Sequence, residues 1–239
     1  MQENTSPEAR RDQSFARPAA AADPIAMARR DLNKALPRRF YKEASAGERD
    51  GGLLGEWIDL ASMPLTRIVN SAIDGVACQL EATVDEIVIY AGVDLICYRA
   101  PAPRTLTEAQ AAAWDPILAF ACEKLGAHFI CTEGVVFVEQ PEPARAAVKE
   151  AIAHIANSGQ GAPFALAALQ VMTTLTGSVL LALAAAHGVL TPTEAWIAAH
   201  VDEDFEKRAW GEDAEALRRR ARQWREMEAA ARLFHAVHG

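Results

Sequence analysis

From Ala61 onward, apolar residues recur three and four positions apart along most of the chain, the spacing of helices that each bury one stripe. In MPLTRIVNSAIDGVAC the stripe is Leu65, Ile68, Val69, Ala72, Ile73 and Val76. TVDEIVIYAGVDLICY opens on Thr83 with Glu86 at the capping-box position, which predicts a helix start there. Thr107 is the expected N-cap of EAQAAAWDPILAFACEKLG, and Gly126 its expected stop. HFICTEGVVFVEQ breaks the helical period: two short β-branched and aromatic runs flank Glu133-Gly134 and predict a β-hairpin. Helices then resume, from Pro143 to about Asn157 and, after the loop NSGQGAP, through the apolar stretch that closes near Gly188. In TPTEAW, Thr191 and Glu194 form a second capping box with Pro192 at the first helical position. That helix is expected to run to Trp210, with Gly211 as a left-handed cap. A last amphipathic helix follows, its acids first and its arginines after, which matches the helix dipole.

The pattern predicts an α+β chain that is predominantly α-helical, with one helical domain over 61–239 and one short hairpin. Residues 1–36 are poor in large hydrophobics and rich in Ala, Arg, Pro and acids, and are expected to form a flexible tail. The chain has 239 residues, 51% hydrophobic and 23% charged, enough to build a proper core. A formal charge of -8 argues against a general nucleic-acid binder, which needs a clustered basic surface. Cys78, Cys97, Cys122 and Cys131 lack close CxxC spacing and are expected reduced and mostly buried. No hydrophobic leader opens the chain, and Glu3, Glu8, Asp12, Asp23 and Asp31 weaken a transit-peptide reading, so a bacterial cytoplasmic location is expected, or the mitochondrial matrix in a eukaryote. PFALAALQVMTTLTGSVLLALAAAHGVL is long enough to span a bilayer. It holds Gln170, three threonines and His187 without flanking anchors, however, and reads as a buried core helix with no membrane insertion.

Catalytic signatures are sparse. The chain has no Gly-Lys pair for a phosphate loop, no GxGxxG and no GxSxG. His128 with Cys122 and Cys131 could be imagined as metal ligands, but buried cysteines beside a strand-edge histidine describe them better. His154, His187 and His200 are scattered over separate helices, and no cofactor is expected. Asp74, Asp94 and Asp115 sit just inside apolar helices and could serve acid–base chemistry if they met in a pocket, which defines an enzyme reading. The plainer expectation is that Asp74 and Asp94 bond neighbouring backbone or arginines such as Arg67 and Arg99, and that Asp115 simply precedes Pro116.

Taken together, RRFYKEA, SMPLTRIVNSAIDGV, YAGVDLICYRAPAPRTLTEAQAAAWDPIL, TGSVLLALA and TPTEAWIAAHVDEDFEKRAWGED resemble a known family. It comprises the assembly chaperones of the F-type ATP synthase catalytic head that act on the alpha subunit. The most specific blocks are DLICYRA…WDP and the acid-rich DE-x-F…WG. The resemblance implies a non-enzymatic role: binding an unassembled alpha subunit and covering its subunit interface until a beta subunit replaces the chaperone, most simply as a monomer. It also implies a small N-terminal β domain, of which 37–60 is a remnant. The strands that the family carries between RFYKEA and EW…MPLT are absent where Gly51-Gly52 meets Leu53, and a spatial break between Gly52 and Leu53 is expected.

VDEDFEKRAWGED carries the candidate client site: Glu203 first, with Asp202, Asp204, Glu206 and Trp210. Trp196, Ile197, Val201 and Phe205 are expected to share one apolar face, whereas Glu203 lies about 200° round the helix from Val201 and is expected to point outward. By residue type alone Glu203 reads as a solvated partner of Lys207, and the DE-x-F motif of the resemblance turns that reading toward a client contact. Glu206 stands where the family usually has Gln. Phe205 and Trp210 are expected to anchor the helix to the domain.

Overall fold

The computed structural model describes residues 62–211 and 213–238. The tail over 1–36, the remnant over 37–60 and the break between Gly52 and Leu53 lie outside the described residues. The elements are helices α1 (Pro64–Asp74), α2 (Leu80–Ile89), α3 (Arg104–Leu125), α4 (Glu142–Ala156), α5 (Ala162–Thr176), α6 (Val179–Ala186), α7 (Pro192–Ala199), α8 (Val201–Trp210) and α9 (Ala214–His238), with strands β1 (Tyr98–Arg99) and β2 (Thr132–Glu133). The described chain is thus predominantly helical with one short sheet, as its periodicity predicts.

The apolar stretch forms the centre. Every residue from Val179 to Ala185 in α6 is buried, and α5 buries Phe164, Leu166, Leu169 and Met172 together with a run of alanines. Helices apolar on all sides need cover on all sides. α9 and α1 pack on α5, α4 and α2 cover its other flank, α3 and α7 pack on α6, and α8 lies on α3. α9 brings its own alanines, Ala229, Ala230 and Ala231, into the core, and small side chains on both helices let the backbones approach. The approach is tightest at Gly161, where a Cβ would stand 2.7 Å from the Val237 carbonyl oxygen. Gly161→Ala is therefore expected to lower the unfolding free energy by about 1–3 kcal/mol, the usual cost of overpacking. Chemical denaturation checks this, and an unchanged midpoint would contradict the packing described.

The structure corrects several sequence expectations. β1 and β2 pair in parallel, Tyr98 opposite Thr132, so the sheet is not a hairpin; β2 finds its partner in a segment more than thirty residues away, and no return strand follows Gly134. α2 begins at Leu80, and Thr83, buried inside it, donates to the Gln79 carbonyl instead of capping. α3 begins at Arg104 after Pro103, with Thr107 donating to the Arg104 carbonyl. The apolar stretch is two helices: Gly177 takes a left-handed conformation (φ 66°) and Ser178 caps α6 by accepting from the Leu181 N–H. The helix after Thr191 breaks at His200. The Thr191–Glu194 capping box and the left-handed Gly126 stop form as expected.

Candidate functional site

α8 starts with three acids and ends with Lys207 and Arg208, so its charges follow the helix dipole. Two of the acids hold it in place. Asp202 Oδ1 accepts a 2.6 Å bond from Nε2 of Gln110, a buried residue of α3. Asp204 receives both guanidinium nitrogens of Arg220 on α9, and this paired hydrogen bonding keeps its carboxyl below the usual carboxylate range. His200, buried at the break before α8, donates its Nδ1 hydrogen to the Trp196 carbonyl at 2.7 Å and lies 4.0 Å from the Trp196 ring. Burial holds its imidazole below the ordinary histidine value.

The other candidates face out. Glu203 is 70% exposed, with the His200 ring 3.9 Å from its carboxylate. Glu206 is exposed, and Trp210 is 89% exposed. Trp210 is therefore no anchor to the domain: Gly211 (φ 91°, ψ -178°) turns the chain at the helix end and leaves the indole in solvent. Ile197 is likewise exposed, so the expected apolar face reduces to buried Trp196 with half-buried Val201 and Phe205. Glu203, Glu206 and Trp210 occur at a spacing that aligns them on one side of α8. They line a groove of about 460 Å³ whose far wall is α9, with Leu217, Arg219, Arg220 and Gln223, and whose floor includes Leu175. The groove mixes carboxylates, guanidinium groups and an exposed indole, a set suited to charged and aromatic groups of another polypeptide.

The three aspartates of the enzyme reading are not brought together. Asp94 is fully buried, and its carboxylate accepts from the Ile96 N–H at 3.3 Å and the Leu180 N–H at 3.1 Å. It thereby caps the N-terminus of α6 from a distant segment. Burial raises its pKa from 3.8 to about 6 against the opposing pull of the Ser178 hydroxyl and the backbone N–H groups. Asp115 pairs with Arg99 at 2.8 Å, and Asp74 ends α1 in solvent. No two of them share a hydrogen bond or one of the grooves. Among the described residues, no group of three or more His, Cys, Asp or Glu is placed to hold a metal ion; Cys122 and His128 approach to 3.3 Å without Cys131. Cys97 is buried, but Cys78 and Cys131 are exposed and Cys122 is half-buried, so the expectation of mostly buried cysteines holds only for Cys97.

Sequence reading missed the residues that seat α7 and α8. Trp114, fully buried in α3, donates its indole N–H to the Ala198 carbonyl at 2.7 Å, and Arg99 stacks over its ring at 5.1 Å while pairing with Asp115. Gln110 bridges the Ala100 N–H and Asp202. The clue available was a Gln and a Trp one helical turn apart on a long helix, each with donors that burial forces to find partners.

Residues 43–122 match the family described as ATP12 chaperone protein. The structure resembles that of Atp12 from Paracoccus denitrificans, at 37% identity and a TM-score of 0.69, over 77% of this chain and 76% of that one. A mutant of the P. denitrificans Atp12p matches at 36% identity with the same TM-score and coverage. The Atu1473 protein of Agrobacterium tumefaciens matches at 45% identity and a TM-score of 0.70, over 75% of this chain; the match spans 65% of that protein. These matches place the fold among the chaperones. The chain belongs to the ATP12 chaperone family.

Proposed function

We propose that this protein is an assembly chaperone of the F-type ATP synthase catalytic head, which binds the unassembled alpha subunit and shields its subunit interface until the beta subunit takes its place. The role is non-enzymatic, needs no cofactor or nucleic acid, and is carried out by a monomer in the bacterial cytoplasm, or in the matrix of a mitochondrion. Beyond family membership, the observation that carries this reading is the outward side of α8. It presents Glu203, Glu206 and Trp210 to solvent over an open groove, while Asp202 and Asp204 are engaged within the domain. The first group supplies client contacts; the second holds the helix that displays them. Exposed carboxylates set register and exclude acidic surfaces, and an exposed indole gives a large contact area with few rotors to freeze. Among the described residues no helix is long and apolar enough to cross a membrane.

The test is capture of purified alpha and beta subunits, each offered alone to the immobilised chain. Alpha is expected to be retained and beta to wash through. Retention of neither, or of beta only, would defeat the proposal.

A further inference from the structure

A second surface stands apart from the groove. After β2 the chain passes through Val135, Val136, Phe137, Val138 and Glu139, and the first three are 98%, 69% and 65% exposed. Ile130, just before β2, is 47% exposed. These four account for four of the ten exposed large hydrophobics among the described residues, within eight positions of one another. Scattered apolar side chains at a surface are ordinary; a run of this kind marks an interaction site.

The strip is held at both ends. At one end the Gly134 N–H donates to the Arg99 carbonyl at 2.8 Å, continuing the β1–β2 ladder. At the other, the buried Gln140 side chain bonds both the N–H and the C=O of Ile130, at 2.9 and 2.8 Å, as a neighbouring strand would. Between these anchors residues 135–139 make no backbone hydrogen bonds among the described residues. Beyond the turn at Gly134–Val135, exposed β-branched and aromatic side chains thus form an apolar strip held between fixed ends.

Charge decides what covers it. Glu133 and Glu139 flank the strip, Glu142 beyond them is paired with Arg145 at 3.4 Å, and no Lys or Arg occurs between Phe129 and Ala144. Pairing with a second copy would bring these carboxylates face to face, in a chain whose formal charge is -8. An extended apolar segment with Lys or Arg at its flanks meets neither penalty.

We infer that residues 135–139 are a docking strip that takes such a segment of the client against its exposed apolar side chains. The inference rests on the client-binding reading above, with the alpha subunit as the client. Hydrogen exchange of the chain, free and bound to alpha, is the test. The 135–139 amides are expected to exchange at least tenfold more slowly in the complex, and the double variant Val136→Glu, Phe137→Glu to weaken capture at least tenfold with an unchanged melting temperature. Capture of alpha with these amides unprotected overturns the strip alone; failure to capture alpha overturns the strip and the proposed function together. Protection in the free chain, accompanied by a doubled mass in sedimentation, would make the occupant a second copy and overturn the inference. The exchange measurement uses the unaltered chain and decides the matter even where the double variant does not fold.

Discussion

Asp94→Ala is expected to lower the unfolding free energy at neutral pH by about 2–4 kcal/mol, the cost of leaving two buried backbone donors without acceptors. The donors are the N–H groups of Ile96 and Leu180, and the second belongs to the first turn of the most buried helix. Because the folded-state pKa lies near 6, above the ordinary 3.8, the native state binds more protons than the unfolded one between those values. The contribution of Asp94 is therefore full below about pH 4 and diminishes as pH rises through about 6, by roughly 3 kcal/mol for a shift of this size. The stability gap between the native protein and Asp94→Ala should widen as the medium is acidified from pH 7.5 to pH 5. His187 and His200 act in the opposite sense. Burial depresses both, so the stability they contribute is lost as pH falls through their folded-state values. That effect is common to both proteins and cancels in the difference. Urea denaturation at the two pH values checks the prediction; a gap that narrows toward acid would show that Asp94 is not the buried cap described.

Glu203→Lys is expected to weaken alpha-subunit binding about tenfold, or about 1.4 kcal/mol, and Trp210→Ala by tenfold or more, both without a change in thermal stability. Their exposure is the reason: 70% for the Glu203 side chain and 89% for Trp210 leave no packing to lose. Asp202→Ala and Asp204→Ala should behave otherwise. Each breaks a bond that seats α8, to Gln110 or to Arg220, so a lowered melting temperature should accompany any loss of binding. Titration calorimetry with thermal melts separates the two pairs. Equal alpha binding by Glu203→Lys would remove Glu203 from the site, and a destabilised Trp210→Ala would contradict the exposed placement of the indole.

How far the acidic segment could be read beforehand follows from these pairs. Helical geometry alone places Glu203 outward, because its angle from Val201 depends only on the backbone period. Geometry along one helix cannot tell that Asp202 meets Gln110 or that Asp204 meets Arg220, since those partners come from α3 and α9. Nor does it tell that Trp210 is bare: a tryptophan is usually buried, and only the end of α8 and the turn at Gly211 leave it in solvent. The break at Gly177 had a local signal, a left-handed stop followed at once by a capping serine, which the unbroken apolar run masked. β1–β2 pairing had none, because two-residue strands carry too little pattern to name a partner.

Local interactions therefore account for the helical class, the position of most helices, the Thr191–Glu194 box, the Gly126 stop and the outward aim of Glu203. Each depends on residues within a turn or two of one another, whose spacing is written directly in the chain. Tertiary structure decided the rest: Asp94 capping a helix 86 positions away, the parallel register that leaves residues 135–139 unpaired, and the division of α8 into acids that hold and acids that face out. These depend on which distant groups burial forces together, and a buried donor or carboxylate takes whichever partner the packing supplies.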